Sequence, residues 1–203
     1  MEAPPASRKD QRRESILAVA REVFLEEGYQ AASMSAIAAR LGGSKATLYT
    51  YFPSKEALFE GYIRDQCGRV AADLLAFTDG QLIREVLTRF GESYVDLILS
   101  DWTVRMFQII VAEARRTPEL AQLFFRAGPL VGHDRLAQYL YVATARGEVD
   151  IADVRHAAWQ FMALCRTHHL EAVLNIDPKP APEAIAAEVA AAVEMFMARY
   201  GRT

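Results

Sequence analysis

The sequence has little of what a disulfide-bonded, zinc-binding or membrane-spanning protein needs. Its two cysteines, Cys67 and Cys165, lie far apart and form neither a disulfide framework nor a zinc-ligand pattern. We therefore expect reduced thiols, with a redox switch as the alternative. No uncharged apolar run approaches the roughly 18 residues that span a bilayer, and the first residues lack the apolar segment of a signal peptide. These absences predict a soluble, cytoplasmic protein.

Motifs of catalysis are also missing. The chain has no glycine-rich phosphate loop, no serine or cysteine nucleophile motif and no helix with paired metal ligands. Cys165, His168, His169 and Glu171 lie close together along the chain, but a second group of metal ligands is absent, so packing is the better interpretation. We predict that the protein is not an enzyme and binds no metal or cofactor.

Alternating strand patterns are absent too, whereas helical periodicity runs through the chain. The sequence therefore predicts an all-α fold, with a long helix from residue 54 to about 77 and a domain boundary at Thr78-Asp79-Gly80. Asp101 is expected to cap one of the later helices. The other helices are expected at 10–27, 82–99, 103–116, 118–127, 130–146, 152–175 and 183–199.

Acidic residues outnumber basic ones, and the formal net charge is −3. Basic residues are nevertheless concentrated near the N-terminus, at Arg8, Lys9, Arg12 and Arg13. Residues 1–9 are expected to form a flexible basic arm that touches phosphates, and a solvated tail without DNA contact is the alternative. A locally basic end on an acidic chain suits a nucleic-acid-binding protein with a separate control domain.

Residues 33–59 carry the most informative pattern: helix, tight turn, helix, stop, helix. Ser33 and Ser44 are good N-caps for two short helices, and Gly42-Gly43 between them accepts the left-handed backbone that such a turn needs. Pro53 ends the second helix, because the residue before a proline is pushed out of the helical region. This pattern predicts a helix-turn-helix, whose second helix reads the DNA major groove.

The second helix of this motif has an inward and an outward face. Leu48 and Phe52 lie four residues apart and can anchor the helix to a core. The opposite face is polar, aromatic and small and carries no acidic residue, so it can approach DNA closely. That face comprises Lys45, Ala46, Thr47, Tyr49, Thr50 and Tyr51.

The pattern Ile-Ala-x-x-Leu-Gly, followed by Ser-Lys-x-Thr-Leu-Tyr-x-Tyr-Phe-x-Ser-Lys-Glu-x-Leu-Phe, resembles the DNA-binding domain of the TetR family of bacterial transcriptional regulators. The match covers about residues 12–62, and residues 107–128 are similar to the C-terminal domain of the AefR-like subgroup. The resemblance implies a helix-turn-helix DNA-binding domain at 10–55, a connecting helix at 56–79 and an effector-binding and dimerisation domain at 80–203.

The resemblance also implies roles for individual residues. Lys45 would donate to guanine O6 and N7, and Thr50 and Ala46 would lie against bases or a thymine methyl group, although the family often has glycine at the position of Ala46. Lys55, at the start of the long helix, would contact a phosphate, which positions the protein without specifying sequence. The other expected DNA contacts are Ser33, Ser35, Ser44, Thr47, Tyr49 and Tyr51.

A ligand pocket and a dimer follow from the same resemblance. In members of this family, a small-molecule effector normally binds among the helices after residue 80. Few charged residues interrupt this part of the sequence, so we expect a mostly apolar or aromatic effector. The last two helices are expected to form the homodimer interface, with an intramolecular core as the alternative. Candidate pocket residues are Phe90, Tyr94, Met106, Phe107, Ile110, Phe124, Phe125, Trp159 and Met162, and candidate dimer residues are Phe161, Leu164, His168, Val189, Val193 and Phe196.

The function predicted from these features is a dimeric transcriptional repressor that a small-molecule effector releases from a near-palindromic DNA operator. Two other classes stay open at this point. One is a helical protein-interaction protein whose basic end meets an acidic partner, and the other is a small-molecule carrier or enzyme whose helix-turn-helix no longer reads DNA. Repression rather than activation rests on family habit alone.

Overall fold

The computed structural model describes residues 7–73, 82–176 and 179–202, and these residues form eleven helices. Apart from one antiparallel bridge between Val149 and Gly201, the described residues contain no β-structure, so the all-α prediction is confirmed. None of the described helices has the length and apolar character needed to cross a bilayer. The helices are α1 (Arg8–Ala31), α2 (Met34–Arg40), α3 (Lys45–Tyr51), α4 (Lys55–Asp73), α5 (Ile83–Ile98), α6 (Asp101–Glu113), α7 (Pro118–Ala127), α8 (Pro129–Ala145), α9 (Val154–Leu164), α10 (His169–Val173) and α11 (Pro182–Tyr200).

The chain divides into two compact units. Unit 1 consists of Met1–Asp65 and Ile109–Phe124, and unit 2 consists of Gln66–Gln108 and Phe125–Thr203. The second segment of unit 1 was assigned to the C-terminal domain from the sequence, but it groups with the N-terminal helices. The predicted boundary at residues 78–80 lies outside the described part of the chain. Helices α4, α6 and α7 each contribute residues to both units.

Helix α1 supplies the centre of unit 1. The ring of Phe24 contacts three others, with centroids 5.2 Å from Phe59, 5.8 Å from Tyr29 and 6.3 Å from Tyr62. The contact with Phe59 is edge-to-face, a favoured arrangement of aromatic pairs. The apolar stripe of α1 is buried, and it consists of Ile16, Leu17, Ala20, Val23 and Phe24.

The start of α1 differs from the prediction. The helix begins at Arg8, because Ser7 and Asp10 form a reciprocal capping box in which the Ser7 hydroxyl accepts from the Asp10 N–H at 3.2 Å. Arg8 and Lys9 therefore lie in the first helical turn and not in a flexible arm. Residues 1–6 of the predicted arm lie outside the described residues.

Unit 2 is held together by one apolar core that α5, α8, α9 and α11 share. Leu87, Leu140 and Phe161 have no exposed surface there, and burial of such side chains is the main stabilising term in folding. Helices α5 and α11 approach closely at Gly91, where a Cβ atom would lie only 2.6 Å from Cγ1 of Val189. Glycine therefore sets the distance between these two helices.

Two local predictions in this part are wrong. The single helix expected at 152–175 is divided into α9 and α10, and the side chains of Thr167 and His168 in the break both bond to Glu188 of α11. These polar contacts hold the chain away from helical continuation. The cap expected at Asp101 is instead supplied by the residue before it, since the Ser100 hydroxyl accepts from the Thr103 N–H at 3.2 Å.

Both cysteines are free thiols. Cys165 is buried and Cys67 is partly buried, and burial raises the pKa of each thiol to about 12. Because the thiolate is the reactive form, such thiols are poor nucleophiles at neutral pH. Reduced thiols without a redox role stay a prediction.

Candidate nucleic-acid interface

Helices α2 and α3 have seven residues each and begin with serine caps. The Ser33 hydroxyl accepts a hydrogen bond from the Ala36 N–H, and the Ser44 hydroxyl accepts one from the Thr47 N–H, both at 3.1 Å. A helix this short makes few internal hydrogen bonds, so a cap worth about 1 kcal/mol is a large share of its stability. Both predicted caps are confirmed.

A glycine makes the turn of this motif and a proline ends it. Gly42 has φ of 62°, the left-handed conformation that side chains with a Cβ disfavour. Phe52 precedes Pro53 and is extended, with φ −137° and ψ 109°, so α3 ends at Tyr51. Helix, turn and helix are therefore placed as predicted and form a helix-turn-helix.

Helix α3 turns one face into unit 1 and the other to solvent. Leu48 and Phe52 are buried, as predicted for the anchoring face. On the outward face Tyr49 is 42 % exposed, and its ring centroid lies 5.9 Å from Nζ of Lys45, within the range of a cation–π contact. Among the described residues this lysine has no carboxylate partner, so its charge is not neutralised. Lys45, Ala46, Thr47, Tyr49 and Thr50 are exposed, and Tyr51 is half-buried.

The hydroxyl groups of this surface are partly engaged within the motif. Ser44 Oγ and Thr47 Oγ1 lie 2.9 Å apart, so one of their two protons is used between them and one remains for a phosphate oxygen. Thr50 Oγ1 donates to the Ala46 carbonyl at 2.9 Å, which leaves its methyl group for contact with a base. Ser33 and Ser35, the two further serines predicted to contact DNA, are exposed at the start of α2.

Lys55 has a different environment from the one predicted. Its ammonium group donates to the backbone carbonyls of Tyr29 at 2.7 Å, Ala32 at 3.1 Å and Gln30 at 3.4 Å. It also lies 4.3 Å from the ring centroid of Tyr29. Burial lowers the pKa of this ammonium group. Three backbone carbonyl oxygens therefore lie within hydrogen-bonding distance of this ammonium group.

Two arginines of α1 lie against the helix-turn-helix, which the spacing of the sequence did not show. A guanidinium nitrogen of Arg12 lies 2.9 Å from where a Cβ atom at Gly43 would stand, in the turn before α3. The guanidinium carbon of Arg13 lies 5.5 Å from the ring centroid of Phe52, at the end of α3. No ion pair within 4 Å is found for either arginine among the described residues, although the charge of Arg13 contributes to lowering the pKa of Asp10, and both arginines add positive potential to this surface. The basic clustering near the N-terminus was the only signal for them.

The predicted pocket residues divide between the units: Ile110 and Phe124 belong to unit 1 and the other seven to unit 2. Within unit 2, Phe90 and Tyr94 are buried and stack with ring centroids 5.9 Å apart. Met106 and Met162 are buried as well, and Phe107 and Trp159 are partly buried.

A second aromatic stack of unit 2 includes a histidine. Phe125 stacks on Trp159 with centroids 5.9 Å apart, and Trp159 stacks on His133 at 4.2 Å. The fully buried His133 ring has Nε2 2.8 Å from the carbonyl oxygen of Arg155 and Nδ1 3.0 Å from the Asp134 carboxylate. Phe125 is 46 % exposed, so it is a weaker candidate for the wall of an enclosed pocket than the buried rings.

Two open cavities of unit 2 lie away from these rings. One, of about 420 Å³, is bordered by residues of α6 and α10 and includes Arg105 and Lys179. The other, of about 490 Å³, lies between α9 and α11 and includes Leu164, Met195 and Phe196. None of the nine predicted pocket residues lines either of these two cavities.

The structure corrects the predicted dimer face. Phe161, Val189, Val193 and Phe196 are each at most 3 % exposed and belong to the core of unit 2. These side chains have little surface left for a second subunit, although Phe196 also borders the open cavity between α9 and α11. The prediction chose the inward face of these two helices, because both faces of the alanine-rich sequence are apolar.

The outward face of the last helices has its own apolar side chains. Leu170, Leu174 and Met195 are 65 %, 57 % and 53 % exposed, and Leu164 is half-buried beside the cavity between α9 and α11. Exposed apolar side chains mark an interaction surface where they form a contiguous patch. His168, the remaining dimer candidate, is half-buried and pairs with Glu188 of the same chain.

The cysteine and histidine cluster shows packing contacts. Within the described residues no three His, Cys, Asp or Glu side chains lie close enough to hold a metal ion. The His169 ring meets Phe107 edge-on with centroids 5.1 Å apart, and burial lowers the pKa of this histidine. Cys165 belongs to the apolar core of unit 2.

Comparison with known families gives two matches on separate parts of the chain. Residues 16–62 match the profile described as bacterial regulatory proteins, tetR family. Residues 85–202, more than half of the 203 residues, match the profile described as the C-terminal domain of AefR-like transcriptional repressors. Both agree with the resemblances found in the sequence.

Individual proteins give the same result. The HTH-type transcriptional regulator UidR of Escherichia coli strain K12 is 32 % identical over 138 residues, 68 % of each chain. The flavonoid-responsive regulator FrrA is 36 % identical and superimposes with a TM-score of 0.78, covering 94 % of this chain and 97 % of its own. A TetR-family regulator of Mesorhizobium loti MAFF303099 has a TM-score of 0.80 over 97 % of this chain and all of its own, but at 22 % identity it shows the fold alone. These relatives favour a regulator over the carrier and protein-interaction alternatives.

Proposed function

The chain belongs to the TetR family of bacterial transcriptional regulators, and we propose that it is a homodimeric repressor released from its operator by an aromatic effector. Like its relatives it is a ligand-responsive, DNA-binding regulator. The observation that carries the proposal is the outward face of α3, where cationic, aromatic and small side chains project from a capped helix with no acidic residue among them. Repression is supported by the match to the AefR-like repressor profile.

Reading of the operator is assigned to α3. Lys45 donates to guanine O6 and N7 in the major groove, and Ala46 and the methyl group of Thr50 lie against bases. Tyr49 and the spare hydroxyl proton of the Ser44–Thr47 pair contact phosphates, which fix the register without specifying sequence. Ser33, Ser35, Tyr51 and Lys55 complete the proposed phosphate contacts.

Dimerisation is assigned to the outward face of α9, α10 and α11. The exposed leucines and methionine of that face and the groove beside Leu164 support it. A two-fold dimer presents two copies of α3, which can read the half-sites of a near-palindrome about 34–36 Å apart. The interface is expected to include Leu164, Leu170, Leu174 and Met195.

The effector is assigned to unit 2 and to the aromatic class. The rings of two stacks, one with Phe90 and Tyr94 and one with Trp159, are the side chains proposed to contact a planar ligand when the effector binds. The relative FrrA is named as flavonoid-responsive, which supports an effector with aromatic rings. Both tryptophans, Trp102 and Trp159, lie in unit 2, so quenching of their fluorescence measures binding. Binding of small, highly charged metabolites alone would contradict this assignment.

Release from DNA would follow a two-state mechanism. The effector favours one conformation of unit 2, and the helices that contribute residues to both units, among them the connecting helix α4, carry the change to the reading helices. A ligand can shift the equilibrium only by its differential affinity for the two states. An effector that leaves operator affinity unchanged would rule the mechanism out.

The cellular setting follows from the regulator role. We assign the protein to the cytoplasm, where chromosomal DNA is accessible, and we assign it no enzymatic activity, since the matched families and relatives are regulators. The parts proposed are a DNA-binding domain at 10–55, a connecting helix at 56–79 and a sensor at 80–203, with residues 109–124 of the sensor grouped with unit 1.

The proposal is tested by fluorescence anisotropy against DNA from upstream of the coding region, with random DNA as the control. A sequence-specific regulator is expected to prefer its operator by about a thousandfold or more. If upstream DNA and random DNA bind equally, a selection from random DNA tests whether the protein prefers any DNA sequence. Failure of that selection to enrich any sequence would overturn sequence-specific reading.

A further inference from the structure

Two consecutive arginines of α1 reach the residues just before and just after α3. The capping box at Ser7 fixes the start of α1, so Arg12 and Arg13 lie in its second turn. The half-buried Arg12 side chain carries its guanidinium to the turn at Gly43. The guanidinium of Arg13 lies 5.5 Å from the ring centroid of Phe52, at the other end of α3. Both cations therefore border the helix that is proposed to enter the major groove.

The turn before α3 contains two glycines with different structural roles. Gly42 has φ of 62°, so it supplies the left-handed conformation of the turn. Gly43 has no positive φ, but a Cβ atom there would lie only 2.9 Å from a guanidinium nitrogen of Arg12. Apart from its chain neighbours, no other atom of the described residues comes within 4 Å of that position. The missing side chain of Gly43 thus leaves the space that the guanidinium occupies.

The charge of Arg12 is available for a ligand at this position. Arg40 of the same unit pairs with Glu26 at 2.7 Å, whereas no ion pair within 4 Å is found for Arg12 in the described part of the chain. Ser44, which follows Gly43, has its hydroxyl oxygen 2.9 Å from that of Thr47, and this pair keeps one proton for a further acceptor. A guanidinium group binds phosphate oxygens through two parallel N–H donors.

We propose that Arg12 binds a backbone phosphate of the operator at the turn before α3, and that Gly43 is the residue that admits its guanidinium to this position. The guanidinium and the spare hydroxyl proton of the Ser44–Thr47 pair then act on the same stretch of DNA backbone. Such a contact fixes the register of the protein without specifying sequence. The inference rests on the proposed DNA binding and adds a contact from α1, which lies outside the helix-turn-helix.

The salt dependence of DNA binding tests the contact. Removing a cation that neutralises a phosphate reduces the magnitude of the slope of log K against log salt by about 0.9. We expect Arg12→Gln to reduce the slope by this amount and to weaken operator and random DNA by the same factor.

Arg21→Gln is the matched control, because it removes the same charge from the same helix. Arg21 is exposed and lies nine residues after Arg12, which is about 14 Å further along α1 and on its opposite side. Charges that far apart are largely screened at physiological salt. The control is therefore expected to leave the slope unchanged.

A double-mutant cycle tests the role of the glycine. Gly43→Ala is expected to displace the flexible end of the arginine side chain, and so to reduce the slope and the operator affinity, at most as far as Arg12→Gln does. In the Arg12→Gln background the same alanine is expected to have no further effect, since no guanidinium remains to be displaced. If Gly43→Ala does not fold, Arg12→Gln alone decides on the phosphate contact.

The outcomes separate this proposal from the function it rests on. A slope in Arg12→Gln equal to that of the wild type and of Arg21→Gln, with the operator still preferred, overturns the phosphate contact. An equal loss of affinity from Gly43→Ala in both backgrounds overturns the role given to the glycine. Failure of DNA reading looks different, because the wild type itself then prefers no DNA sequence and Lys45→Met has no effect on operator affinity.

Discussion

The helices of the two units begin in different ways. In unit 1, the first four helices start with serine side chains that accept from a backbone N–H three residues later: Ser7, Ser33, Ser44 and Ser54. In unit 2, α6 and α9 begin with caps from Ser100 and Asp153, but α5, α8, α10 and α11 have no side-chain cap. Helices α2 and α3 have seven residues each, whereas α5, α8 and α11 have 16, 17 and 19. The seven-residue helices α2 and α3 depend strongly on their capped ends, whereas the long uncapped helices of unit 2 depend mainly on the face that they bury.

The largest expected effect is loss of a core ring in unit 2. Phe161 has no exposed surface, and its ring packs against Phe196 at 5.4 Å and Phe90 at 6.0 Å. Phe161→Ala is expected to lower the free energy of unfolding by about 3–5 kcal/mol. Urea unfolding followed by tryptophan fluorescence measures it, because both tryptophans lie in unit 2.

The matched control lies at the start of the same helix. Asp153 caps α9 by accepting from the His156 N–H at 3.0 Å, and Asp153→Ala is expected to cost only about 1 kcal/mol. If the two substitutions cost the same, the contrast between packed and capped helices does not hold for α9.

The second prediction concerns the close approach of α5 and α11. Gly91→Ala places a Cβ atom against Val189, and overpacking of this kind is expected to cost about 1–3 kcal/mol. Gly132→Ala is the control. Its Cβ atom would lie 3.9 Å from the nearest side-chain atom, and the substitution removes the entropy cost of a helical glycine. It is expected to stabilise unit 2 by up to about 1 kcal/mol. Thermal unfolding that ranks the two alanine variants in the opposite order would refute the spacing argument.

A cap of the recognition helix should give a third, smaller effect. Ser44→Ala removes the hydrogen bond to the Thr47 N–H and is expected to cost about 1 kcal/mol. Because unit 1 contains no tryptophan, hydrogen exchange of the α3 amides is the suitable measurement. Ser15→Ala, at an exposed serine that bonds only to the carbonyl of Gln11 in its own helix, serves as the control and should leave α3 unchanged. Equal protection of α3 in Ser44→Ala and the wild type would contradict the importance of the cap.

The smallest effect tests the membership of residues 109–124 in unit 1. Nε2 of Gln30, near the end of α1, donates to Oγ1 of Thr117 at 2.7 Å. Thr117→Val keeps the shape but loses the acceptor, and an exposed hydrogen bond of this type is worth about 0.5–1.5 kcal/mol at most. Faster exchange of the amides near Gln30 is the expected result, and the Gln30→Ala variant should show it equally. Additive effects in the double variant would show that the two side chains do not interact.

The sequence predicted unit 1 well because its signals are local. A cap, a left-handed glycine and a residue before proline each act within four positions of the chain, and Ser44, Gly42 and Phe52 behave as expected. The environment of Lys55 was not predictable in this way. It depends on carbonyl groups 23 to 26 residues away, which only the kink of α1 brings together.

Unit 2 was predicted less well because its decisive contacts are distant in sequence. Helix spans followed from periodicity, but the break between α9 and α10 depends on Glu188, about 20 residues later. The inward and outward faces of α11 were confused, since alanine and valine occur on both and periodicity alone does not tell which face meets the core. Val189 and Val193 were therefore assigned to the wrong side.

The close contact of Gly91 in α5 with α11 predicts which residue types homologous proteins can have at these positions. Among homologous sequences, the position of Gly91 should be restricted to the smallest residues wherever the position of Val189 is β-branched. A larger residue at the first position should be accompanied by alanine or glycine at the second. Such paired exchange would let sequence databases alone recover the α5–α11 contact, because covarying positions report spatial proximity.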